Sequence, residues 1–139
     1  MDWKICAVDD LRRYKQMKIG IINSKEKLKF VENAAMRYNL SNAKRGLRTD
    51  TNIINALVEA SRLRQNIAST ERLTKLVERG LDSLSDEERR IIDRFYMANT
   101  PLSTRVLSEE LGYEPRTLYR IRDRALEKFT IAMYGIEIS

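Results

Sequence analysis

The chain has 139 residues, of which 26 are Lys or Arg, 20 are Asp or Glu, one is Cys and none is His. This length fits one domain, or a small domain with an extension. Gly (5) and Pro (2) are scarce, which argues against turn-rich β and collagen-like classes. A lone cysteine excludes an internal disulfide, and the lack of His excludes a His-dependent catalytic triad or zinc site. We therefore expect no metal, no other cofactor and no enzymatic activity.

The chain lacks any apolar run near the roughly 20 residues that a membrane helix needs. The first ten residues, MDWKICAVDD, also lack the apolar stretch of a signal peptide. We expect a cytoplasmic protein without a membrane partner.

The net charge of +6 is concentrated in the first third of the chain. Residues 1–50 carry 12 basic and 6 acidic side chains, whereas residues 51–100 and 101–139 are each neutral overall. Such an excess favours an anionic partner, and nucleic acid is the leading candidate. A basic surface that binds only solvent is the alternative.

Two long helices are predicted before residue 80. The first covers residues 7–37, with Asp9 and Asp10 as capping residues, and the second extends from its N-cap Asp50 to the breaker Gly80. Their apolar stripes are Tyr14, Met17, Ile21, Leu28, Val31 and Ala35, then Ile53, Leu57, Ala60, Leu63, Ile67, Thr70, Thr74 and Val77. Because neither stripe can be buried alone, an antiparallel hairpin is expected. Its thin seam leaves room for a third helix or a second copy of the chain.

Between the two helices, residues 38–50 (YNLSNAKRGLRTD) contain turn-forming residues and predict a basic loop. Lys44, Arg45 and Arg48 in this loop are candidate phosphate contacts, with solvated charge as the equal alternative. Gly20, inside the first helix, marks either a kink or a close approach by a neighbouring helix.

A change of composition near Leu81 divides the chain into domains 1–80 and 81–139. The second domain begins with a capping-box pattern, Ser85 to Glu88, which predicts a helix start. Ser103 or Thr104 can cap the next helix.

Residues 104–124 have the layout of a helix-turn-helix. Gly112 suits a turn that needs positive φ, and Pro115 suits the first position of the last helix, which is expected to run to about Met133. Its apolar side is Leu118, Ile121, Ala125 and Phe129, and Ser108 stands where the two helices cross.

The other side of that helix carries the candidate DNA-binding residues. They are Arg116, Thr117, Arg120 and Arg124, with Thr104 on the preceding helix as a further candidate. Arg116 and Arg120 lie one turn apart, where they can make paired hydrogen bonds to guanine in a major groove. The alternative is an ordinary solvated face on which Arg120 and Arg124 pair with Asp123 or Glu127.

Two segments resemble a known family. Residues 84–96 (LSDEERRIIDRFY) resemble the opening of region 4 of sigma-70-type factors, and residues 112–129 (GYEPRTLYRIRDRALEKF) resemble its helix-turn-helix end. The Tyr119-Arg120 pair and residues 124–128 are most similar to sigma-like regulators of phages and prophages of Gram-positive bacteria, the RinA/ArpU-type late-gene activators. That group also has a two-helix segment ahead of the region-4-like module.

The resemblance implies an all-α fold in which a long helical hairpin precedes a three-helix, sigma-region-4-like module. It also implies promoter DNA binding and transcription activation in the bacterial host, with RNA polymerase as a partner. The family's promoter contacts fall on Pro115, Arg116, Thr117, Tyr119 and Arg120. Pro115 replaces a usually basic residue, so the promoter element should differ from the standard one.

Glu114 likewise replaces the usual Ser or Thr cap of this helix. The alternative function is a protein-interaction module. In that case the hairpin binds RNA polymerase or a sigma-like partner, and the chain has little DNA affinity of its own.

Overall fold

The structure, a computed structural model, describes residues 2–44, 51–100 and 103–136, and for residues 42–44 it describes the backbone alone. The regular elements in these ranges are all helices, which confirms the all-α class. They are α1 (Trp3–Lys44), α2 (Thr51–Asp82), α3 (Asp86–Ile92), a π-helical turn (Asp93–Met97), α4 (Thr104–Leu111) and α5 (Pro115–Tyr134). None of the helices described is long and apolar enough to cross a bilayer.

The chain divides into two compact units, one made of Met1–Lys15 with Thr74–Ser139 and the other of Gln16–Leu73. These boundaries differ from the predicted domains 1–80 and 81–139. The first turns of α1 belong to the same unit as the C-terminal helices, and Ala7 and Leu11 in these turns are fully buried. In addition, the ring of Trp3 lies 4.9 Å from that of Tyr134, centroid to centroid.

The start of α1 corrects one prediction. Oδ1 of Asp2 accepts hydrogen bonds from the backbone N–H groups of Lys4 (3.0 Å) and Ile5 (3.3 Å), so Asp2 caps the helix. Asp9 and Asp10 were expected to cap, but they lie more than one turn inside α1.

The end of α1 corrects a second prediction. Residues 38–44 are helical, whereas a basic loop was predicted over 38–50. Asn and Ser lower helix propensity by less than about 1 kcal/mol each, and no Gly or Pro lies between Tyr38 and Gly46. Arg45, Arg48 and the predicted cap Asp50 lie outside the described residues.

Buried positions in α2 recur every seven residues, at Ile53, Ala60, Ile67, Thr74 and Leu81. A seven-residue repeat keeps a stripe on one side of a helix that coils gently around a partner. Leu57 falls outside the repeat and is 55% exposed, so its predicted place in the stripe is wrong. The stripe predicted for α1 is confirmed, since Ile21 and Ala35 are buried and its other members are half-buried.

Ion pairs within the unit Gln16–Leu73 join α1 to α2. Lys25 Nζ lies 2.8 Å from Glu71 Oε1, and Arg64 Nη2 lies 2.7 Å from Glu32 Oε1. The later residue of α1 thus pairs with the earlier residue of α2, which is the order of antiparallel segments. At Gly20 no described atom lies within 4 Å of where a Cβ would stand, so no helix approaches it closely.

The C-terminal helices share an apolar core. Ile91 of α3, Leu107 of α4 and Leu118 of α5 are fully buried, and four further side chains pack against them: Phe95, Leu111, Tyr113 and Ile121. The capping box is confirmed, with Ser85 N–H 3.0 Å from Glu88 Oε1 and Glu88 N–H 3.2 Å from Ser85 Oγ.

The predicted breaker Gly80 lies inside α2, which ends at Asp82. Ser83 satisfies the last carbonyls instead, because its Oγ donates to Gly80 O (2.6 Å) and its N–H to Arg79 O (3.2 Å).

Candidate nucleic-acid interface

The turn between α4 and α5 is fixed by hydrogen bonds on Ser108. Its carbonyl accepts from the N–H groups of Gly112 (2.9 Å) and Tyr113 (3.2 Å), and its hydroxyl donates to the carbonyl of Tyr113. Gly112 has φ 75°, the left-handed conformation that the sequence predicted. Ser108 thus connects the end of α4 to the turn that leads into α5.

The helix starts on either side of this turn differ. Ser103 Oγ accepts from Val106 N–H (3.3 Å), so Ser103 and not Thr104 is the cap of α4. Pro115 takes the first position of α5, as predicted, and the side chain of Glu114 caps nothing. Amides of the first turn of α5 therefore lack a side-chain acceptor from their N-cap.

Arg116, Arg120 and Arg124 form a row on α5, here called the arginine face. Steps of four residues rotate by about 40° on a helix, so the row stays on one side over two turns. Leu118 and Phe129 are fully buried on the opposite side. All three arginines are exposed, and none forms an ion pair with a residue that the structure describes.

Every other basic side chain between Asp82 and Tyr134 is ion-paired. The pairs are Arg89–Asp82, Arg90–Glu110, Arg94–Glu110, Arg105–Glu109, Arg122–Asp123 and Lys128–Glu88. The acids that helical spacing offers as partners for the arginine face are taken by other cations. Asp123 lies 2.9 Å from Arg122 Nη2, and Glu127 lies 3.3 Å from Lys4 Nζ. The expected pairing of Arg120 and Arg124 with Asp123 or Glu127 is therefore wrong, while the face itself is exposed to solvent.

Tyr119 lies at the edge of the arginine face and is 40% exposed. Its ring meets that of Phe95 edge-on, with centroids 6.1 Å apart. The guanidinium carbon of Arg122 lies 5.1 Å from each of the two ring centroids. Arg122 was not among the predicted site residues, although its position three residues after Tyr119 on a helix was a usable signal.

The second half of α5 is covered by the start of α1. The hydroxyl of Tyr134 donates to Oδ2 of Asp10, and Lys4 pairs with Glu127. Burial, and then the hydrogen bond and charge of Asp10, raise the pKa of Tyr134 well above its usual value. The first half of α5, with the arginine face, has no such cover from α1 among the described residues.

The structure gives less support to the remaining predicted site residues. Thr117 and Thr104 are half-buried at the starts of α5 and α4. Lys44 is the last residue of α1, and its side chain is not described. Of the basic residues in the first third, Lys25 and Lys27 are ion-paired with Glu71 and Glu59, so part of that excess charge is locally compensated.

No group of three His, Cys, Asp or Glu side chains stands close enough to hold a metal within the described ranges. The case for a nucleic-acid interface rests on the geometry of α5 and its arginines. Comparison of the chain with protein-family models, with curated proteins and with solved structures finds no match.

Proposed function

We propose that the protein binds double-stranded DNA sequence-specifically through the first half of α5 and regulates transcription. The arginine face carries this proposal. Three guanidinium groups stand on one exposed side of a helix, and the neighbouring carboxylates of Asp123 and Glu127 are committed to other cations. Exposed charge without an internal partner is what a polyanion neutralises on binding.

The position of each arginine suggests its role. In helix-turn-helix proteins the first turns of the second helix lie deepest in the major groove. Arg116 and Arg120 are therefore assigned to base edges, where Arg pairs with O6 and N7 of guanine. Arg124, a further turn along, is assigned to a phosphate, which adds affinity without sequence information.

The proposal also includes the arrangement of the helices. In it, α1 and α2 act as a helical hairpin, α4 and α5 act as the helix-turn-helix, and α3 supports them. The sequence resemblance supports a phage or prophage sigma-like late-gene activator, which would act at promoters in a bacterial cytoplasm beside RNA polymerase. A homo-oligomer formed through the hairpin belongs to the same proposal.

An exposed apolar groove favours the alternative function, a protein-interaction module with little DNA affinity. The groove has a volume of about 390 Å³ and lies within the unit Gln16–Leu73. Its rim includes Met36 and Leu57, which are 62% and 55% exposed. Apolar side chains exposed together at a concave site are typical of surfaces that bind a partner.

A gel-shift salt series separates the two functions. The probe is a duplex selected by the protein from a random pool, and the variant is Arg120→Ala. We expect log K to fall linearly with log salt for the wild type, and the variant to lose about 1–3 kcal/mol on the selected duplex but little on random DNA. Absence of any shift at low salt would reject DNA binding in favour of the interaction module.

A further inference from the structure

The guanidinium group of Arg122 is enclosed, unlike those of the arginine face. Its Nη2 lies 2.9 Å and its Nε 3.0 Å from Asp123 Oδ1, and the side chain is 27% exposed. Its flat group also stands 5.1 Å from the ring centroids of Phe95 and Tyr119. The guanidinium group of Arg122 therefore already has partners within the protein, and we do not count Arg122 among the DNA contacts.

The ring of Tyr119 is held from two directions. Phe95 meets it edge-on, and Phe95 itself packs against the buried cluster of Ile91, Leu107 and Leu118. Arg122 adds an attraction between its positive charge and the electron-rich ring. Yet Tyr119 remains 40% exposed and lies one residue before Arg120. A ring that is anchored on one side and exposed on the other is preordered for contact with a ligand.

We propose that Arg122 is a positioning residue that holds the ring of Tyr119 for direct contact with a base in the DNA groove. This inference rests on the proposed function. An ordered aromatic ring at the edge of the arginine face packs against base edges and thymine methyl groups, which discriminates between base pairs. A mobile ring gives weaker discrimination because binding must first order it.

The test compares full-length R122Q with R124Q, which removes the same charge from the same helix without touching an aromatic ring. Y119A, the double variant R122Q/Y119A, and R122K complete the set. Affinities are measured on the selected duplex and on its single base-pair variants over a salt series. NOEs between the Tyr119 and Phe95 rings are measured in the DNA-free protein.

We expect R122Q to lose the ring NOEs and to lose roughly threefold to tenfold discrimination at the base pair affected by Y119A. The double variant should be no worse than Y119A, and the salt slope of R122Q should stay at the wild-type value. R122K should fall between the wild type and R122Q, because an ammonium group keeps a positive charge for the ring but lacks the flat guanidinium group that stacks on it. R124Q should do the reverse, keeping the NOEs and discrimination while its slope falls by about 0.9.

Retained discrimination in R122Q, or a fall of its salt slope equal to that of R124Q, would overturn the positioning role while leaving DNA binding intact. Should R122Q fail to fold, R122K carries the same comparison. If the wild type binds no duplex, the proposed function fails first and this role fails with it.

Discussion

Gly80 of α2 and Phe129 of α5 are in direct contact. A Cβ atom on Gly80 would lie 2.7 Å from Cε2 and 2.8 Å from Cδ2 of the Phe129 ring. That ring is fully buried, so it cannot turn out into solvent. Glycine is needed here for the close approach of two helices, not for a helix end.

Gly80→Ala should therefore destabilise the protein, although alanine is the better helix former. Overpacking a filled core costs about 1–3 kcal/mol, which exceeds the propensity gain of up to about 1 kcal/mol. Gly20→Ala is the matched control, because no described atom lies within 4 Å of its Cβ position. It should stabilise by up to about 1 kcal/mol. Urea unfolding measures both, and equal stabilisation of the two variants would mean that the ring of Phe129 gives way.

The sequence predicted those features that depend on near neighbours. The capping box joins Ser85 to Glu88, and the turn joins Ser108 to Gly112, so each signal lies within about one helical turn. The role of Gly80 depends on a residue 49 positions later, and glycine inside a helical pattern resembles a terminator until that partner is known. Asp10 is similar, since its partner Tyr134 is separated from it by 124 positions.

In the candidate site, too, only the features that depend on near neighbours were predictable. Helical spacing placed Arg116, Arg120 and Arg124 on one side, but spacing could not decide their pairing. Asp123 and Glu127 are suitably spaced partners for them, yet the structure gives Asp123 to Arg122 and Glu127 to Lys4. Lys4 lies in the first turns of α1, beyond the reach of local sequence patterns.

Leu63 and Leu57 test which side of α2 is buried. Leu63 is 8% exposed and Leu57 is 55% exposed, in the same helix and with the same side chain. Leu63→Ala should cost about 2–5 kcal/mol, as buried large-to-small changes do, whereas Leu57→Ala should stay within about 0.5 kcal/mol. Denaturant midpoints at constant m-value measure the difference. Comparable losses at both positions would show that Leu57 is buried in solution, for example by a partner chain.

Glu88 should make stability sensitive to acid. Burial alone would raise its pKa, but hydrogen bonds from the Ser85 backbone, from Lys128 and from the Ser85 hydroxyl outweigh burial and lower it below 4.5. A lowered carboxyl pKa contributes stability that is fully present above the ordinary pKa. That stability is lost as pH falls through the folded-state value.

Unfolding free energies measured between about pH 7 and pH 3 check this. The wild type should lose stability steeply in the acid part of that range, and Glu88→Gln should lose less, starting from a lower value at neutral pH. Glu109→Gln is the control. Glu109 pairs with Arg105, but its side chain is 69% exposed, and ion pairs on the surface contribute little to stability. A wild-type profile parallel to that of Glu88→Gln would remove Glu88 as the source.

The basic residues Lys44, Arg45 and Arg48 are expected to add DNA affinity without specificity. If they bind phosphates, changing all three to Gln should weaken binding to selected and random duplexes alike, because phosphates carry no sequence information. The salt slope should fall by about 0.9 for each phosphate that the variant no longer neutralises.

A control triple variant removes three cations that are already ion-paired: Lys25, Lys27 and Arg64. It makes the same change in net charge, so a general effect of charge would lower both slopes equally. A fall confined to the first triple assigns the segment to the DNA-binding surface. An unchanged affinity at low salt excludes it from that surface and leaves a protein partner or solvent as the neighbour of these charges.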